Sequence, residues 1–466
     1  MASPHILIVG AGPAGLFFAI LMERAGISYE VFEKAKELRP VGSSMSLNVV
    51  MHLWEQLGLS KELWAISKPF GAINIRGQDM SRKGTFFYGP PGVDIKTLFG
   101  EEAPILARPD LIKLLQSRIP AHKIHYNKRV VRIEETDKQA KIFCQDNTSY
   151  SGTIVVGADG AYSNVRQHMY KEMAAEGTLP KVDAMPLRYD YNCLVGVTEP
   201  LDPAKYPVVE EKYCEFEICL GKGKDTPFTW WYMPLEGRRV GFMVTEDIRN
   251  QGTTAERAAN KSSDWDPNAV QEMCDRVRNL SCPYGGTLGD IFDRTPKEVI
   301  SKVVLEEKFF TTWYNRRTVL LGDACHKCLP FGGQGATMAI QSAVALANAI
   351  YEDLPTSQAD VTNVFKKYYE ERRRSGAAAV FASSTSGALM HKQGIVGDII
   401  RYLGLNWFPN WIVQKGLELA NSYRPQMVFL PQVPFRGTFR RTRTTKLSPR
   451  FVAEWSAKER KTAVAL

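Results

Sequence analysis

The 466-residue sequence predicts an α/β fold, in which a Rossmann-like parallel-sheet domain is interleaved with an antiparallel-sheet domain and followed by a helical C-terminal region. Three observations predict it. Gly10-Ala11-Gly12-Pro13-Ala14-Gly15 stands between a short apolar run and a helical pattern. A second glycine-rich segment, from Gly322-Asp323 to Gly333-Gln334-Gly335, comes late in the chain. Between them, much of the sequence shows strand-type alternation bounded by turn residues.

The first element is the strand His5–Val9. Leu16–Ala25 then reads as a helix closed by Gly26, and Ser28–Glu33 as a second strand ending on a carboxylate. Gly10 permits the tight turn, and Gly12 lets the backbone approach a pyrophosphate. Gly15 lets the helix pack closely on the strand, while the helix N-terminus turns its positive dipole end to the phosphates. Glu33 has the spacing of a ribose-binding acid in such a βαβ unit. The unit implies a dinucleotide and leaves NAD and FAD both open.

Further along, residues 123–134 and 140–144 read as paired strands with polar turns. Ser151–Gly157 is a buried strand, and Asp159-Gly160 is a turn dipeptide opening a helix. Ser163 and Arg166 are expected to offer hydrogen bonds or charge to phosphates. Residues 181–307 are the expected substrate domain. Within it, strands at 189–197, 212–220, 228–234 and 239–244 would form an antiparallel wall rich in aromatics. Because side chains alternate along a strand, some of Trp230, Trp231 and Tyr232 must simply pack the sheet.

Composition is that of a soluble globular protein, 44% hydrophobic and 23% charged. The chain is long enough for two interleaved domains. It enters its first strand almost at once, so no signal peptide is expected. Eight scattered cysteines suit reduced thiols on the cytoplasmic side. The net charge of +9 is uneven, for Arg436–Arg450 holds basic residues and no acids. No motif accompanies that run to suggest nucleic-acid binding. The preceding stretch, 394–413, is apolar and contains Trp407 and Trp411, but Asp398, Arg401 and Pro409 interrupt it. This suits a helix lying on a membrane surface, or packed on the protein, better than a membrane span.

Three segments in this order resemble the group A flavoprotein monooxygenases, the para-hydroxybenzoate hydroxylase-like family. They are the Gly10–Gly15 fingerprint with Glu33, the stretch Gly157-Ala158-Asp159-Gly160 to Arg166, and the Gly322–Ala336 segment. Arg108, before a helical run, matches the family's FAD-contacting arginine. The resemblance covers roughly residues 5–375. It implies a GR2-type FAD-binding domain in two parts (1–180 and 308–375), a substrate sheet at 181–307, and a C-terminal helical, apolar and basic segment at 376–466.

It also implies that FAD, held non-covalently, is bound by Gly10, Gly12, Pro13, Ala14, Gly15, Glu33, Gly42, Ser46, Arg108, Asp159, Asp323, Pro330, Gly333, Gly335 and Ala336. Asp323 would bond the ribitol chain. With no second GxGxxG, NAD(P)H would be a transient co-substrate. Ser46 replaces the family's usual glycine, Thr337 its common asparagine, and Gln341 or Ser342 an acid. Cys325-His326-Lys327-Cys328 has no second ligand pair nearby, so no metal is expected.

The chemistry implied is reduction of FAD, formation of a C4a-hydroperoxide with O2, and transfer of one oxygen atom to carbon. The substrate would be a small, lipophilic aromatic or prenylated metabolite, as for fungal enzymes of terpenoid secondary metabolism, which this chain resembles in its Gly322–Gly335 loop. Hydroxylation of a phenol calls for a base, whereas epoxidation does not. Tyr191, Tyr232 or a histidine is the candidate base, and Arg188 or Tyr191 is the side chain that would assist oxygen transfer, if any side chain does. A halogenase, a prenyl-chain reductase and a silent flavin scaffold share the fold. The halogenase Trp-x-Trp-x-Ile-Pro pattern is not met by Trp230 to Pro234.

Overall fold

The computed structural model describes residues 3–38, 41–48, 50–87, 95–222, 226–252, 266–392, 394–407, 409–439 and 445–464. Residues 440–444 of the basic run lie outside them.

Strand β1 (His5–Val9), helix α1 (Pro13–Ala25) and strand β2 (Ser28–Phe32) form the expected βαβ unit. β1 pairs in parallel with β2 on one side and with Ile154–Gly157 on the other. Thr318–Leu320 adds in parallel beyond that. Ile6, Leu7 and Ile8 are fully buried, as a parallel strand covered on both faces requires. Ile124–His125 and the antiparallel Tyr314–Asn315 complete a six-stranded sheet. Helix Gly335–Asp353 packs beside α1. Both ends of the chain thus build one sheet. The strand expected at 123–134 is divided: Ile124–His125 joins the parallel sheet, while Val130–Glu135 forms a small antiparallel sheet with Ala140–Cys144 and Ser149–Gly152.

A second large sheet carries strands from three parts of the chain. Its centre is Ser301–Phe309, Arg188–Val197, Arg239–Asp247, Phe228–Leu235 and Cys214–Leu220. Ser67–Gly77, Pro104–Ala107 and Ser44–Ser46 extend one edge, and His326–Lys327 closes the other. The last pairing ties the sheet to the late glycine-rich loop, with Phe309 opposite His326.

The two faces of this sheet bury different clusters. Tyr191, Cys193, Ile218, Trp231, Met233 and Met243 share one with Leu329 and Phe331 of the late loop. Trp230, Tyr232, Phe242 and Val244 lie in the other with Met273, Val277 and Phe292, from the helices Pro267–Val277 and Leu288–Phe292. The period of two along Phe228–Leu235 separates Trp231 from its neighbours.

The helix Gln358–Met390 opens with a capping box in which Ser357 and Asp360 satisfy each other's backbone N–H groups, and it runs unbroken through residue 375. Helices Ile395–Asn406, Asn410–Asn421 and Pro449–Val464 follow. Among the described residues, no helix is long and apolar enough to cross a membrane.

Candidate flavin site

The site begins at the turn after β1. Gly10 has φ +106°, and a Cβ there would lie 2.5 Å from the Ala158 carbonyl oxygen. Gly15 is equally constrained, since its Cβ would fall 2.0 Å from the Gly10 oxygen. Gly12 differs: among the described residues nothing lies within 4 Å of a Cβ placed there. Gly10 and Gly15 therefore serve internal packing, while Gly12 faces open space at the N-terminus of α1, beside Pro13 and Ala14. That is the arrangement a phosphate group needs.

Glu33 closes the same loop from the end of β2. Its Oε2 accepts a hydrogen bond from the Ala11 N–H (2.9 Å), and its Oε1 accepts one from the Ala35 N–H (2.9 Å). The carboxylate is thereby fixed against the Gly10–Gly15 turn.

The late segment comes to the same place. At Gly322, φ +66°, a Cβ would be 3.0 Å from the Ala14 Cβ, so the two glycine-rich segments meet directly. Asp323 sits in the short helical turn Gly322–Ala324 and receives a hydrogen bond from the Lys327 ammonium at 2.8 Å. Arg108 begins the helix Arg108–Gln116 and donates to the Val41 carbonyl at 2.9 Å. Gly42, φ +112°, makes room for it: a Cβ there would stand 2.9 Å from Arg108 Cδ. Burial lowers the Arg108 guanidinium from its ordinary range, while the charges of Asp323 and Glu33 pull the other way. Arg108 is thus in the electrostatic field of an acid from each end of the chain.

Pro330 starts the turn that leads to Gly333, φ +60°, whose Cβ would face Ser46 at 3.9 Å. Ser46 Oγ bonds Asn48 Oδ1 (2.8 Å), and Asn48 Nδ2 donates to the Gly333 carbonyl (3.3 Å). Ser46 therefore reaches the loop through a neighbour. Gly335 and Ala336 open the helix Gly335–Asp353, and a Cβ at Gly335 would also meet nothing within 4 Å among the described residues. Two open glycine sites at the N-termini of two helices packed together, with Arg108 in the field of both Glu33 and Asp323, fit FAD. Thr337, in the first turn of the second helix, keeps a buried hydroxyl without a partner among the described residues.

Asp159 turns its carboxylate to its own helix. Oδ2 accepts from the Val165 N–H at 3.2 Å, Oδ1 is buried without a partner among the described residues, and burial raises its pKa. Its backbone packs on Gly10. Ser163 and Arg166 depart from expectation, because both are buried and engaged within the protein. Ser163 caps the helix by accepting from the Arg166 N–H. Arg166 donates to the Ala324 carbonyl (2.9 Å) and to the Ala161 carbonyl (2.6 Å), and it covers the Phe310 ring at 4.0 Å. It braces the Asp323 turn instead of reaching phosphate.

Over the late loop lies an aromatic wall. Phe331 packs edge-on to Tyr191 (5.1 Å between ring centroids), 6.1 Å from Trp231 and 5.1 Å from His391. His391 comes from the end of the long helix and was not foreseen, since nothing in its own neighbourhood signals a site. Its ring bonds Thr245 Oγ1 (2.9 Å) and the Gly387 carbonyl (3.0 Å), and burial lowers its pKa to about 4. Of the candidate catalytic side chains, only Tyr191 belongs to this wall. Burial raises its phenol pKa, which makes it a hydrogen-bond donor rather than a base near neutral pH. Tyr232 is corrected: strand alternation puts it on the opposite face, against Tyr284. Arg188 is also outside the wall. It is more than half exposed and pairs with Asp190 (2.7 Å) and Glu307 (3.5 Å).

Behind the loop, His326 Nε2 bonds Ser342 Oγ (3.0 Å), which also receives Arg372 Nε (3.2 Å). Arg372 is fully buried, donates to Gln341 Oε1 (3.3 Å) and stacks on Tyr423 at 4.4 Å. Cys325 and Cys328 are buried beside this network. Ser342 and Gln341, standing where the family commonly has an acid, thus receive an arginine.

Two glycine turns meeting across a parallel sheet, beneath an antiparallel wall, form the frame of an FAD-binding protein. The FAD binding domain family matches residues 4–383, and the chain belongs to it. It is 30% identical over 366 residues to the FAD-dependent monooxygenase nodM of Hypoxylon pulicicidum, covering 77% of this chain and 74% of that one. It is also 30% identical over 380 residues to the FAD-dependent monooxygenase ptmM of Penicillium ochrochloron, covering 78% and 84%. Among solved structures, Klebsiella pneumoniae HpxO complexed with FAD and uric acid shares the fold, with a TM-score of 0.68 and 18% identity over 89% of this chain and 95% of that one. This protein is an FAD-dependent monooxygenase, an oxidoreductase with FAD as its cofactor.

Proposed function

We propose that the protein is a single-component enzyme that uses NAD(P)H and O2 to hydroxylate or epoxidise a small, lipophilic aromatic or prenylated metabolite. The observation that carries this reading is the wall of Tyr191, Trp231, Phe331 and His391 packed on the Pro330–Gly333 turn. A wall so rich in rings suits an apolar ligand, with the Arg249 guanidinium, 5.5 Å over the Tyr191 ring, as the charge at its edge. The fungal relatives nodM and ptmM, themselves FAD-dependent monooxygenases, support the reaction class.

When bound and reduced, FAD would supply the activation of O2 by which one oxygen atom enters the substrate and the other leaves as water. The chain's own residues hold and shield. The Gly12 turn, Glu33, Arg108 and Asp323 hold the cofactor, and the aromatic wall excludes water from the reacting centre. Tyr191 would donate a hydrogen bond to a substrate oxygen, and no side chain of the wall need act as base. Peripheral contact of the C-terminal segment with a membrane, on the cytoplasmic side, belongs to the same reading.

The test is turnover under isotopically labelled O2 with phenols and prenylated aromatics as substrates. Substrate-stimulated NAD(P)H oxidation and a product carrying one labelled oxygen atom support the proposal. NAD(P)H oxidation that yields only hydrogen peroxide across the panel overturns it.

A further inference from the structure

The helices Ile395–Asn406 and Asn410–Asn421 wear their apolar residues on the outside. Val396, Ile399, Ile400, Leu403 and Trp407 recur at the spacing of one helical stripe, and all five are exposed, Trp407 by 70%. A helix packed on a globular body normally turns that stripe inward. Here the inward side is polar instead. Arg401, nearly buried, donates to the Leu389 carbonyl (3.0 Å), the Lys392 carbonyl (2.6 Å) and the Asp398 carboxylate (2.6 Å). These bonds tie the helix to the end of the long helix before it, so the outward stripe is fixed by the fold. In the next helix Trp411, Lys415 and Leu419 share a face and are exposed, while Leu417 turns in to the cluster of Tyr191, Trp231 and Phe331.

Charge says what covers this surface. Of the 59 cations and 50 acids in the chain, 13 cations and 4 acids lie after residue 380. That last stretch carries the whole net charge of +9, and the first 380 residues are electrically neutral. Two copies meeting through so cationic a segment would repel each other. An outward apolar stripe with the exposed Lys392 before it and Lys415 on the next helix, in a segment of net positive charge, instead matches a bilayer with anionic headgroups. Each helix has 12 residues, about 18 Å long, against a hydrocarbon core of about 30 Å. They therefore lie in the interface and do not span it.

We propose that Val396, Ile399, Ile400, Leu403, Trp407, Trp411 and Leu419 dock this pair of helices flat on an anionic bilayer. This deepens the peripheral-contact reading above and names its lipid class. The docked layer is one helix thick, with lipid on its outer side and, through Leu417, the aromatic cluster of the substrate wall on its inner side. A lipophilic substrate dissolved in the bilayer would enter across it.

Flotation of the full-length, FAD-loaded protein with vesicles of neutral phosphatidylcholine, with and without phosphatidylserine, tests the proposal. Binding to the phosphatidylserine vesicles is expected, weakened by added salt and lost on the order of tenfold in a Trp407→Ser, Trp411→Ser variant. The flavin absorbance of that variant reports its folding. Should it fail to fold, Lys392→Glu with Lys415→Glu is expected to lower binding to the anionic vesicles. Three results overturn the proposal: no binding to either vesicle by folded protein, equal binding to both, or self-association that protects Trp407 and Trp411 without lipid. None of these readouts involves turnover, so they leave the monooxygenase reading to its own test.

Discussion

The Glu33 carboxylate accepts a hydrogen bond from the Ala11 N–H at 2.9 Å, which locks the end of β2 onto the glycine turn after β1. A second bond, from the Ala35 N–H, holds the other oxygen. Bonds to a charged acceptor contribute about 1.5–3 kcal/mol each, more than neutral ones. Glu33→Gln keeps the shape and loses the charge, so FAD affinity is expected to fall roughly tenfold. Titration of the apoprotein with FAD, followed by flavin fluorescence, checks this; unchanged affinity would remove Glu33 from the cofactor site.

Trp231 and its neighbour Tyr232 face opposite sides of one strand. Trp231→Ala opens the wall beside Phe331 and is expected to raise KM for the substrate, with FAD content intact. Tyr232→Phe changes only the far face, and kcat/KM is expected to stay within about twofold of wild type. Equal kinetic damage from both substitutions would contradict the assigned faces.

His326 and His391 are both buried, and burial lowers each pKa to about 4. In the unfolded chain each would titrate near ~6.5. The unfolded state therefore binds more protons between these values. The stabilisation of keeping these rings neutral is complete above about pH 6.5 and is lost as pH falls towards 4. Urea midpoints measured across that interval are expected to drop, and a His326→Asn, His391→Asn variant should show a flatter profile. A wild-type midpoint independent of pH there would be inconsistent with neutral buried rings.

The buried Glu101 joins the C-terminal segment to the flavin domain. It accepts from the His52 backbone N–H (2.8 Å), lies 3.3 Å from the His52 ring and pairs with Arg424 at 2.6 Å. Arg424 in turn donates to the Phe99 carbonyl at 2.5 Å. Removing one partner of a buried ion pair costs about 3–5 kcal/mol, because the other charge is left uncompensated. Glu101→Ala is expected to lower stability by that order and to make residues 424–439 accessible to protease first. Wild-type stability in this variant would show the cluster to be incidental.

The βαβ unit was legible because each feature is local: an apolar run, a glycine spacing, a helical period and a terminal acid. The two glycine-rich segments already suggested one shared dinucleotide, but the contact of Gly322 with Ala14 was not legible, since no local pattern brings distant segments together. Other features escaped for identifiable reasons. Trp230, Trp231 and Tyr232 are all apolar enough to face either side, so the alternation that sets strand parity is silent there. Ser163 and Arg166 read as phosphate partners because polar residues after a glycine turn usually face out. What turns Arg166 inward is the Ala324 carbonyl and the Phe310 ring, both far along the chain. His391 comes from the end of a long helix and meets Tyr191, two hundred positions earlier in the sequence, only in the folded protein.

The central claim is that both glycine-rich segments hold one FAD, with Asp323 reaching it from the late segment. The most direct measurement is the flavin content of purified Asp323→Ala, taken from its visible absorbance against protein concentration and set beside wild type. Wild type is expected to hold FAD, and Asp323→Ala to come away folded by circular dichroism but without flavin. A folded Asp323→Ala protein with wild-type flavin content would contradict the account.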